Sequence, residues 1–284
     1  MDLLRWRSIA GDLGSGDGGI MGKNSNISWT DHTWNPWQGC KKVSAGCKNC
    51  YMFRDKARYG QDPEIVIRSK PATFNKPMTW KDPAMVFVCS WSDFFIEEAD
   101  AWRDVAWEII RSSPQLIFQI LTKRPERIIE HLPFCWGDGY PNVWMGVTAE
   151  NQEMADLRIP LLLEVPAAVR FVSAEPLLGP INFWKFATRE ETFGSMYDHR
   201  GTYPFYQVIG MHGSVKYHEG IDWIIVGGES GSSCRDMNPE WARSIKTQCV
   251  DEAGVPFFMK QMSGNTKAER EAIPEDLIIR EFPA

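Results

Sequence analysis

Residues 116–122 read LIFQILT, a near-continuous apolar run that ends in a threonine. Such a run predicts a strand buried on both faces, as in a parallel sheet. Comparable runs are NISWT at 26–30, MVFVCS at 85–90, VWMGVT at 143–148, VRFVSAE at 169–175, WIIVGGE at 223–229 and VPFFMK at 255–260. Apolar residues at helical spacing lie between them, at 101–111 and 240–250. This alternation predicts an α/β fold: a partial or full (β/α) barrel of about six to seven parallel strands, or alternatively an open doubly wound sheet.

Two segments depart from this alternation. Residues 1–26 include GDLGSGDGG, which has no periodic apolar pattern and is typical of a flexible leader. Residues 183–221 hold Gly, Tyr, His and Met without a clear period. Long irregular segments inside a domain usually serve function, so we expect an insertion there, such as a lid or substrate loop. Residues 27–284 are then a single barrel-like domain.

The composition of the 284 residues narrows the class of protein. A hydrophobic fraction of 43% and a charged fraction of 24% are ordinary for a globular domain and unlike a disordered chain. No apolar run approaches the ~18 residues that a membrane span needs, so we expect no membrane partner and a cytoplasmic location. The net charge of −6 disfavours a protein that coats nucleic acid by bulk charge. Seven cysteines without an export signal indicate metal or redox use.

Three of the cysteines lie close together in NPWQGCKKVSAGCKNCYM, residues 35–52. Cys40, Cys47 and Cys50 have the spacing C-x6-C-x2-C, which suits a soft metal or an iron–sulfur cluster. Three thiolates leave an open coordination position, the mark of a reactive site rather than a closed structural one. A structural zinc would need a fourth ligand, for which His32 is near enough in sequence. We expect the remaining cysteines to pack in the core: Cys89, Cys135, Cys234 and Cys249.

Polar residues follow nearly every predicted strand. The carboxyl ends of the strands of a β/α barrel meet at one edge, where active sites lie. The residues expected there are Asp93, Thr122, Lys123, Arg124, Thr148, Glu150, Asn151, Ser173, Glu175, Gly227, Gly228, Glu229, Lys260 and Gln261. A purely structural sheet has no need of so many charges and hydroxyls at one edge. The alternative is a rim of ion pairs, such as Glu229 with Arg235, and a solvent-facing turn at Lys123 and Arg124.

Several of these segments resemble known proteins. Residues 35–40, 46–47 and 50–51 resemble the cluster loop of radical S-adenosylmethionine (radical SAM) enzymes, which usually have C-x3-C-x2-C with an aromatic residue before the third cysteine. More narrowly, much of the chain resembles a phage- and prophage-borne family of unassigned function with a three-cysteine cluster loop. The segments that carry this resemblance are LTKRPER at 121–127, NVWMGVTAENQE at 142–153, SAEPLLGPI at 173–181 and GGESG at 227–231.

The resemblance implies an enzyme with a 4Fe-4S cluster and S-adenosyl-L-methionine (AdoMet). Cys40, Cys47 and Cys50 would hold the cluster, whose fourth iron would chelate the amino and carboxylate groups of AdoMet. One-electron reduction, from a donor such as flavodoxin or ferredoxin, would yield a 5′-deoxyadenosyl radical that abstracts hydrogen from the substrate. The residues expected to bind AdoMet are Gly227, Gly228, Glu229, Glu175, Tyr51 and Lys123. Those expected to contact substrate are Asp93, Arg124, Glu150, Asn151, Arg235 and Lys260.

Charge is unevenly placed along the chain. Residues 41–81 contain ten Lys/Arg and three Asp/Glu, so this segment carries +7 within a chain of −6. Aromatic residues lie between these cations, a pattern that suits nucleic acid, although a solvated helix that balances an anionic cluster is the alternative. The expected substrate is therefore DNA or a modified nucleotide, for example a hypermodified pyrimidine in phage DNA whose side chain is isomerised.

Two other interpretations remain open. One is a non-catalytic zinc-loop protein that binds nucleic acid or a protein partner. The other is a hydrolase that uses the carboxylates at the strand ends.

Overall fold

A computed structural model describes residues 25–187, 207–209, 215–217 and 220–283. The strands are β1 (His32–Trp34), β2 (Trp37–Gln38), β3 (Ile67–Arg68), β4 (Ala84–Val88), β5 (Leu116–Thr122), β6 (Val143–Thr148), β7 (Val169–Ala174), β8 (Gln207–Ile209), β9 (Val215–Tyr217), β10 (Trp223–Gly227) and β11 (Phe257–Gln261). The helices are α1 (Tyr51–Arg58), α2 (Pro71–Phe74), α3 (Asp100–Arg111), α4 (Gln152–Leu163), α5 (Trp184–Ala187), α6 (Pro239–Lys246) and α7 (Lys267–Glu271). A π-helical segment, Thr247–Glu252, continues α6.

In the described part of the chain, seven strands form one parallel sheet in the order β1-β4-β5-β6-β7-β10-β11. Spatial order follows chain order without a reversal, whereas a doubly wound sheet reverses its strand order at a switch point. The sheet curls into a half-barrel. The prediction of a partial (β/α) barrel is therefore confirmed, and the doubly wound alternative is wrong.

Both faces of the sheet are apolar. The strands are runs of consecutive apolar residues, and successive side chains of a strand point to opposite faces. Val86 and Val88 of β4 pack in the large core that also holds Trp107 and Ile110 of α3. Phe87, between them, belongs to a second cluster with Trp29, Trp144, Phe171 and Trp223, which fills the concave side of the half-barrel. This second cluster forms the base on which the candidate site is built.

The strand predictions differ from the structure mainly at the start of the chain. Residues predicted as a strand near 26–30 form a turn, with the amide of Thr30 donating to the carbonyl of Ile27 at 3.2 Å. The first strand begins instead at His32, after Asp31 has accepted a hydrogen bond from the amide of Met85 at 2.7 Å. An aspartate that binds a neighbouring backbone in this way favours a turn over a continuing strand.

The predicted leader and insertion fall largely on residues outside the described ranges. Residues 1–24 of the leader lie there, as do 188–206, 210–214 and 218–219 of the insertion. Within the insertion, β8 and β9 pair as antiparallel strands. Its flanks pack in the core, where Phe183, Phe186 and Ile221 are buried. No helix in the described ranges is both long and apolar enough to cross a membrane.

Candidate active site

A cavity of about 600 Å³ lies at the edge of the sheet where the strands end. Its volume is typical of pockets that bind cofactors and small substrates. The strands and the segments that follow them contribute these lining residues: Thr33, Phe87, Cys89, Lys123, Thr148, Ser173, Glu175, Gly228, Glu229 and Lys260. Active sites of β/α barrels lie at this edge, so the cavity is the candidate active site.

The clustered cysteines line this cavity together: Cys40, Cys47 and Cys50. They belong to residues 39–50, which we call the cysteine loop. This loop connects β2 to α1. The amide of Gly39 donates to the carbonyl of Trp91 at 3.0 Å and fixes the start of the loop. Gly39 has a φ of 101°, and a Cβ there would lie 2.2 Å from the carbonyl oxygen of Ile65. Only glycine fits this close approach.

Carboxylates that follow different strands hold the cysteine loop against the sheet. In the described residues these are Asp93 after β4, Glu150 after β6 and Glu229 after β10. Each reaches the loop by a different contact, directly or through an arginine. The loop is thus attached at several points to the edge of a rigid sheet, which is how a preorganised site is built.

The contact from Asp93 runs through Arg124. Asp93 accepts hydrogen bonds from the hydroxyl of Thr122 at 2.7 Å and from the amide of Lys123 at 2.9 Å, and its Oδ2 lies 3.1 Å from Nη1 of Arg124. The Arg124 guanidinium then donates to the carbonyl of Lys41 at 3.0 Å and lies 3.9 Å from the sulfur of Cys40. The first cysteine of the loop is therefore positioned by a buried ion pair.

Burial and the neighbouring charges of Asp93 and Arg124 also set the protonation state of the Cys40 thiol. The pKa of Cys40 is raised to about 12, chiefly by burial and also by the charge of Asp93, while Arg124 opposes both. With no metal bound, the thiol form is favoured at neutral pH. A metal centre would reverse this preference because it binds the thiolate.

Glu150 supports the middle of the loop. Its Oε1 accepts a hydrogen bond from the amide of Gly46 at 3.0 Å, and its Oε2 accepts one from Arg158 at 2.9 Å. Burial opposes ionisation of Glu150, but a hydrogen bond from Ser44 and the charge of Arg158 hold its pKa below the usual range. Glu150 is fully buried and is not among the cavity-lining residues. It was expected to bind substrate, and in this structure its carboxylate contacts Gly46 of the loop and Arg158 of α4.

Glu229 supports the end of the loop. It accepts hydrogen bonds from the side chain of Asn49 at 2.8 Å and from the backbone and side chain of Arg235, the last at 2.5 Å. Burial opposes ionisation, but the bonds from Arg235 and Asn49 hold the pKa of Glu229 below its usual range. The ion pair of Glu229 with Arg235, weighed as an alternative from the sequence, is present.

Glu175 and Lys260 form an ion pair inside the cavity. Nζ of Lys260 lies 2.5 Å from Oε1 of Glu175, and both side chains remain about one-fifth exposed, at 20% and 18%. Gly227 makes room for this pair, since a Cβ there would lie 3.2 Å from the Glu175 carboxyl carbon. A Cβ at Gly228 would lie 2.2 Å from the amide nitrogen of Ser263, so the two glycines serve close packing.

Tyr51 and Lys123 also line the cavity. The Tyr51 hydroxyl donates to the carbonyl of Ser90, and burial raises its pKa well above the ordinary value, so the hydroxyl stays neutral. Lys123 makes no ion pair with a carboxylate within the described ranges. Its ammonium is the cation of the site that is left for an anionic ligand.

Comparison with known proteins places the chain in a family. A family model described as "Protein of unknown function (DUF5131)" matches residues 24–278. The chain belongs to this family. No curated protein matches it. A solved structure that matches is a mutant spore photoproduct lyase with bound AdoMet and a dinucleoside spore photoproduct. Its TM-score is 0.41 at 14% identity, covering 57% of this chain and 50% of that chain, and likeness at this level establishes no common fold.

The site of this DUF5131 protein contains most, but not all, of the predicted residues. Of the residues predicted to hold the cluster, bind AdoMet or contact substrate, four do not line the cavity: Gly227, Glu150, Asn151 and Arg235. Asn151 is the N-cap of α4, where its side chain accepts a hydrogen bond from the amide of Met154 at 3.0 Å. An asparagine immediately before a helical pattern is an ordinary capping signal, and this sequence position fits it.

Cys89 packs in the core, as expected, and it also lines the cavity. Cys249 is buried as expected, whereas Cys135, also expected in the core, is exposed. Cys89 is 3% exposed and has a φ of 60°, in the left-handed region that few residues other than glycine adopt. Burial raises the pKa of its thiol well above the ordinary value. No sequence pattern predicts a cysteine with a left-handed backbone conformation. Only the position of Cys89 directly after β4 indicates that it could reach the cavity.

His32 is not placed to complete a metal site with the loop cysteines. It begins β1 and packs against Trp80, with ring centroids 4.6 Å apart. The next residue, Thr33, lines the cavity. Because neighbouring side chains of a strand point to opposite faces, His32 faces away from the cavity.

Proposed function

We propose that this protein is a radical SAM enzyme that binds a 4Fe-4S cluster and AdoMet in the cavity. The observation that carries the proposal is the placement of the loop cysteines, all of which line one cavity at the carboxyl edge of a half-barrel. The same cavity also holds charged side chains of both signs that suit a zwitterionic cofactor. A partial barrel with this cysteine loop is what the sequence resemblance implies.

The donor set suits a cluster better than a single metal ion. The ligands of a tetrahedral zinc lie about 2.3 Å from the metal, so their donor atoms are within about 4 Å of one another. Among the described residues, no group of three His, Cys, Asp or Glu side chains has the arrangement that one ion needs. Each thiolate of a three-cysteine 4Fe-4S site binds a different iron, so the three thiols need not meet at one ion. Three thiols on one short loop, with His32 packed against Trp80 instead of joining them, suit a cluster with an open iron better than a four-ligand zinc.

The cofactors would supply the radical chemistry, and this chain would supply binding and orientation. When bound and reduced, the cluster would supply the electron for cleavage of AdoMet to methionine and a 5′-deoxyadenosyl radical, which would be the group able to take a hydrogen atom from substrate. Cys40, Cys47 and Cys50 would hold the cluster. Glu175 is the carboxylate proposed to accept the AdoMet ammonium, since Glu229 is already bound to Asn49 and Arg235. Lys123 would bind the AdoMet carboxylate.

The inner walls of the cavity are suited to keep water away from a reactive intermediate. Phe87 and Leu121 line the cavity and pack in or against the second cluster, on the concave side of the half-barrel. Their apolar surface offers water no hydrogen bonds and leaves the reacting carbon surrounded by protein. A radical that abstracts hydrogen without selectivity requires such exclusion.

The proposed substrate is DNA or a modified nucleotide, with isomerisation or other modification of a hypermodified pyrimidine in phage DNA as the specific expectation. Phe53 lines the cavity, and Nζ of Lys42 lies 4.8 Å over its ring. Within the described ranges neither Lys42 nor Lys48 forms an ion pair with a carboxylate, and both are exposed. Exposed cations beside an aromatic ring suit phosphate contacts and base stacking. The electron donor would be a protein such as flavodoxin or ferredoxin.

Anaerobic reconstitution with iron and sulfide tests the proposal. We expect about four irons per chain and absorbance near roughly 400 nm, as for thiolate-bound clusters. Under dithionite, the loaded protein should convert AdoMet to 5′-deoxyadenosine, and adding DNA should change the rate or yield if DNA is the substrate. Cys40→Ala should lose both iron and AdoMet cleavage.

Cys135→Ala is the matched control, because this cysteine is exposed and lies outside the cavity lining. It should retain iron and activity. One zinc per chain without AdoMet cleavage would contradict the proposal and support a zinc-loop protein. Catalytic activity that survives Cys40→Ala would contradict it in favour of a hydrolase.

A further inference from the structure

The inner end of the cavity, below the cysteine loop, is built from the concave face of the sheet. Thr148 of β6 and Ser173 of β7 are register partners on adjacent strands, and both line the cavity. The Trp29 ring also lines it and packs on Phe87, with centroids 4.6 Å apart, and on Phe171 at 6.4 Å. Hydroxyl groups and an indole N–H thus occur together at an otherwise aromatic surface.

Two of these polar groups are buried without a partner. The Thr148 hydroxyl oxygen and the Trp29 indole nitrogen have no hydrogen-bond partner among the described residues, although these residues are only 0% and 2% exposed. Buried polar groups are normally paired, and leaving one unpaired costs folding free energy. Both residues line the cavity, so a molecule bound against them is the source from which these two atoms could gain the missing partners.

Several other buried tryptophans and threonines of the described chain do have hydrogen-bond partners. Among the described residues, the indole nitrogens of these tryptophans donate to backbone carbonyls: Trp34, Trp37, Trp107, Trp136 and Trp223. The buried hydroxyl of Thr122 donates to Asp93, and that of Thr30 donates to the carbonyl of His32. Within the described ranges, Ser113 and Gln119 also have an unpaired buried atom but lie outside the cavity lining, whereas Trp29 and Thr148 are unpaired in residues that line the cavity.

The chemistry of these groups selects the kind of ligand. An indole N–H requires an acceptor, and a hydroxyl can donate or accept. The two unpaired groups are uncharged, and the charged groups of the cavity belong to separate pairs, Asp93 with Arg124, Glu175 with Lys260 and Glu229 with Arg235. The part of the ligand that meets Trp29 and Thr148 therefore needs no charge. The rings of Trp29 and Phe87 favour a flat molecule. An uncharged planar heterocycle with both carbonyl and N–H groups meets all of these requirements.

We propose that the inner end of the cavity is a nucleobase pocket in which Trp29 donates to, and Thr148 hydrogen-bonds with, the edge of the base. This proposal deepens the proposed function and rests on it for the identity of the reaction. The phosphate of the same nucleotide would lie at the cavity mouth, near Lys42 and Lys48. The base can come from the substrate or from the adenine of AdoMet, and the two sources can be separated by experiment.

Isothermal titration of the full-length protein, with and without the reconstituted cluster, tests the pocket. The probes are thymidine 5′-monophosphate, AdoMet and ribose 5-phosphate, which has no base. Loss of one hydrogen bond predicts that Thr148→Val weakens binding of a base-containing probe by about three- to tenfold. Ribose 5-phosphate should bind equally to both forms. Trp29→Phe, which keeps the ring and removes the N–H, should weaken the same probe.

Thermal denaturation distinguishes binding from a structural role. Removing an unpaired hydroxyl should leave the melting temperature of Thr148→Val unchanged or raised. Ser113→Ala is the matched control, because Ser113 also has a buried, unpaired hydroxyl but lies outside the cavity lining. It should raise or preserve the melting temperature without changing binding of any probe.

The outcomes separate the two proposals. Equal binding of base-containing probes to wild type and Thr148→Val, or a lower melting temperature of that variant, overturns the nucleobase pocket whatever the cluster does. If the protein binds no iron but Thr148→Val weakens binding of thymidine monophosphate, the nucleobase pocket stands and the radical SAM assignment is contradicted. Weakening of thymidine monophosphate alone assigns the pocket to substrate, and weakening of AdoMet alone assigns it to the cofactor adenine.

Discussion

Asp93 and Arg124 form an ion pair beneath the cysteine loop, with side chains only 7% and 9% exposed and 3.1 Å between Oδ2 and Nη1. Asp93 follows β4 and Arg124 follows β5, so the pair joins the ends of two adjacent strands. The same guanidinium lies 3.9 Å from the Cys40 sulfur. The pair therefore transmits the rigidity of the sheet to the first cysteine.

Replacing Arg124 with leucine should destabilise the protein strongly. The variant leaves the Asp93 carboxylate buried without its cation, and breaking a buried pair from one side typically costs about 3–5 kcal/mol. We expect this loss in the free energy of unfolding measured by urea denaturation of the metal-free protein. Arg111→Ala is the control, since the Arg111–Glu108 pair is exposed and its loss should hardly move the midpoint. Equal effects of the two variants would show that burial of the Asp93 pair does not matter.

Acid should destabilise the protein partly through Glu150. The pKa of this carboxyl is held below its ordinary value of 4.5 in the folded state. A depressed folded pKa contributes stability that is present above the unfolded pKa and is lost as pH falls through the folded pKa. We therefore expect the free energy of unfolding to fall as pH decreases below about 4.5, near the ordinary Glu pKa.

Glu150→Gln isolates this contribution, because glutamine does not titrate. The variant should lose less stability than wild type between about pH 5 and pH 2, the range in which a depressed carboxylate titrates. A smaller fall remains, since the pKa of Glu229 is depressed as well. Chemical denaturation at each pH measures this, and identical pH profiles of the two proteins would contradict the assignment.

Most of the sheet follows from the apolar runs. LIFQILT and VWMGVT coincide with β5 and β6, since long runs buried on both faces have few other places in a fold. β1 has only three residues, and it is held by pairing with β4 rather than by its own pattern. Short strands of this kind depend on tertiary contacts that a local pattern does not contain.

The sequence predicted where most site residues lie, but not which residues their side chains contact. Residues after each strand were expected at one edge, and the cysteines, Glu175, Lys123 and Lys260 do line one cavity. The direction in which a carboxylate points depends on loops distant in sequence: Glu150 reaches Gly46, 104 residues away, and Glu229 reaches Asn49, 180 residues away. Spacing along the chain carries no information about such contacts.

Gly46 should be intolerant of a side chain. A Cβ there would lie 3.0 Å from Oε1 and the carboxyl carbon of Glu150, the groups that hold the loop. Gly46→Ala must displace a buried carboxylate, and overpacking of this kind costs about 1–3 kcal/mol. Gly179→Ala is the control, because its Cβ would meet only the Asn151 Cβ at an ordinary 3.9 Å. Urea denaturation should separate the two, and equal stabilities would show that Glu150 moves freely.

The cations at the cavity mouth should contribute to binding of single-stranded DNA. Lys42 and Lys48 are joined by a hydrogen bond from Nζ of Lys42 to the Lys48 carbonyl at 3.3 Å, so they present neighbouring charges. Each phosphate contact on a single strand adds about 0.7 to the slope of log affinity against log salt. The double variant Lys42→Ala/Lys48→Ala should therefore lower that slope by about 1.4, two contacts' worth.

Fluorescence anisotropy with a labelled oligonucleotide at several salt concentrations measures this slope. The matched control is Lys76→Ala/Lys81→Ala, which removes the same charge at exposed residues of the same basic segment. By contrast, Lys42 lies over the cavity-lining Phe53, and Lys48 lies between the cavity-lining residues Cys47 and Asn49. This control should change the slope less, because specific phosphate contacts require a cation at the site where the strand lies. A slope that falls equally in both double variants would mean that DNA responds to the total charge of residues 41–81, and the mouth of the cavity would then have no special part in binding.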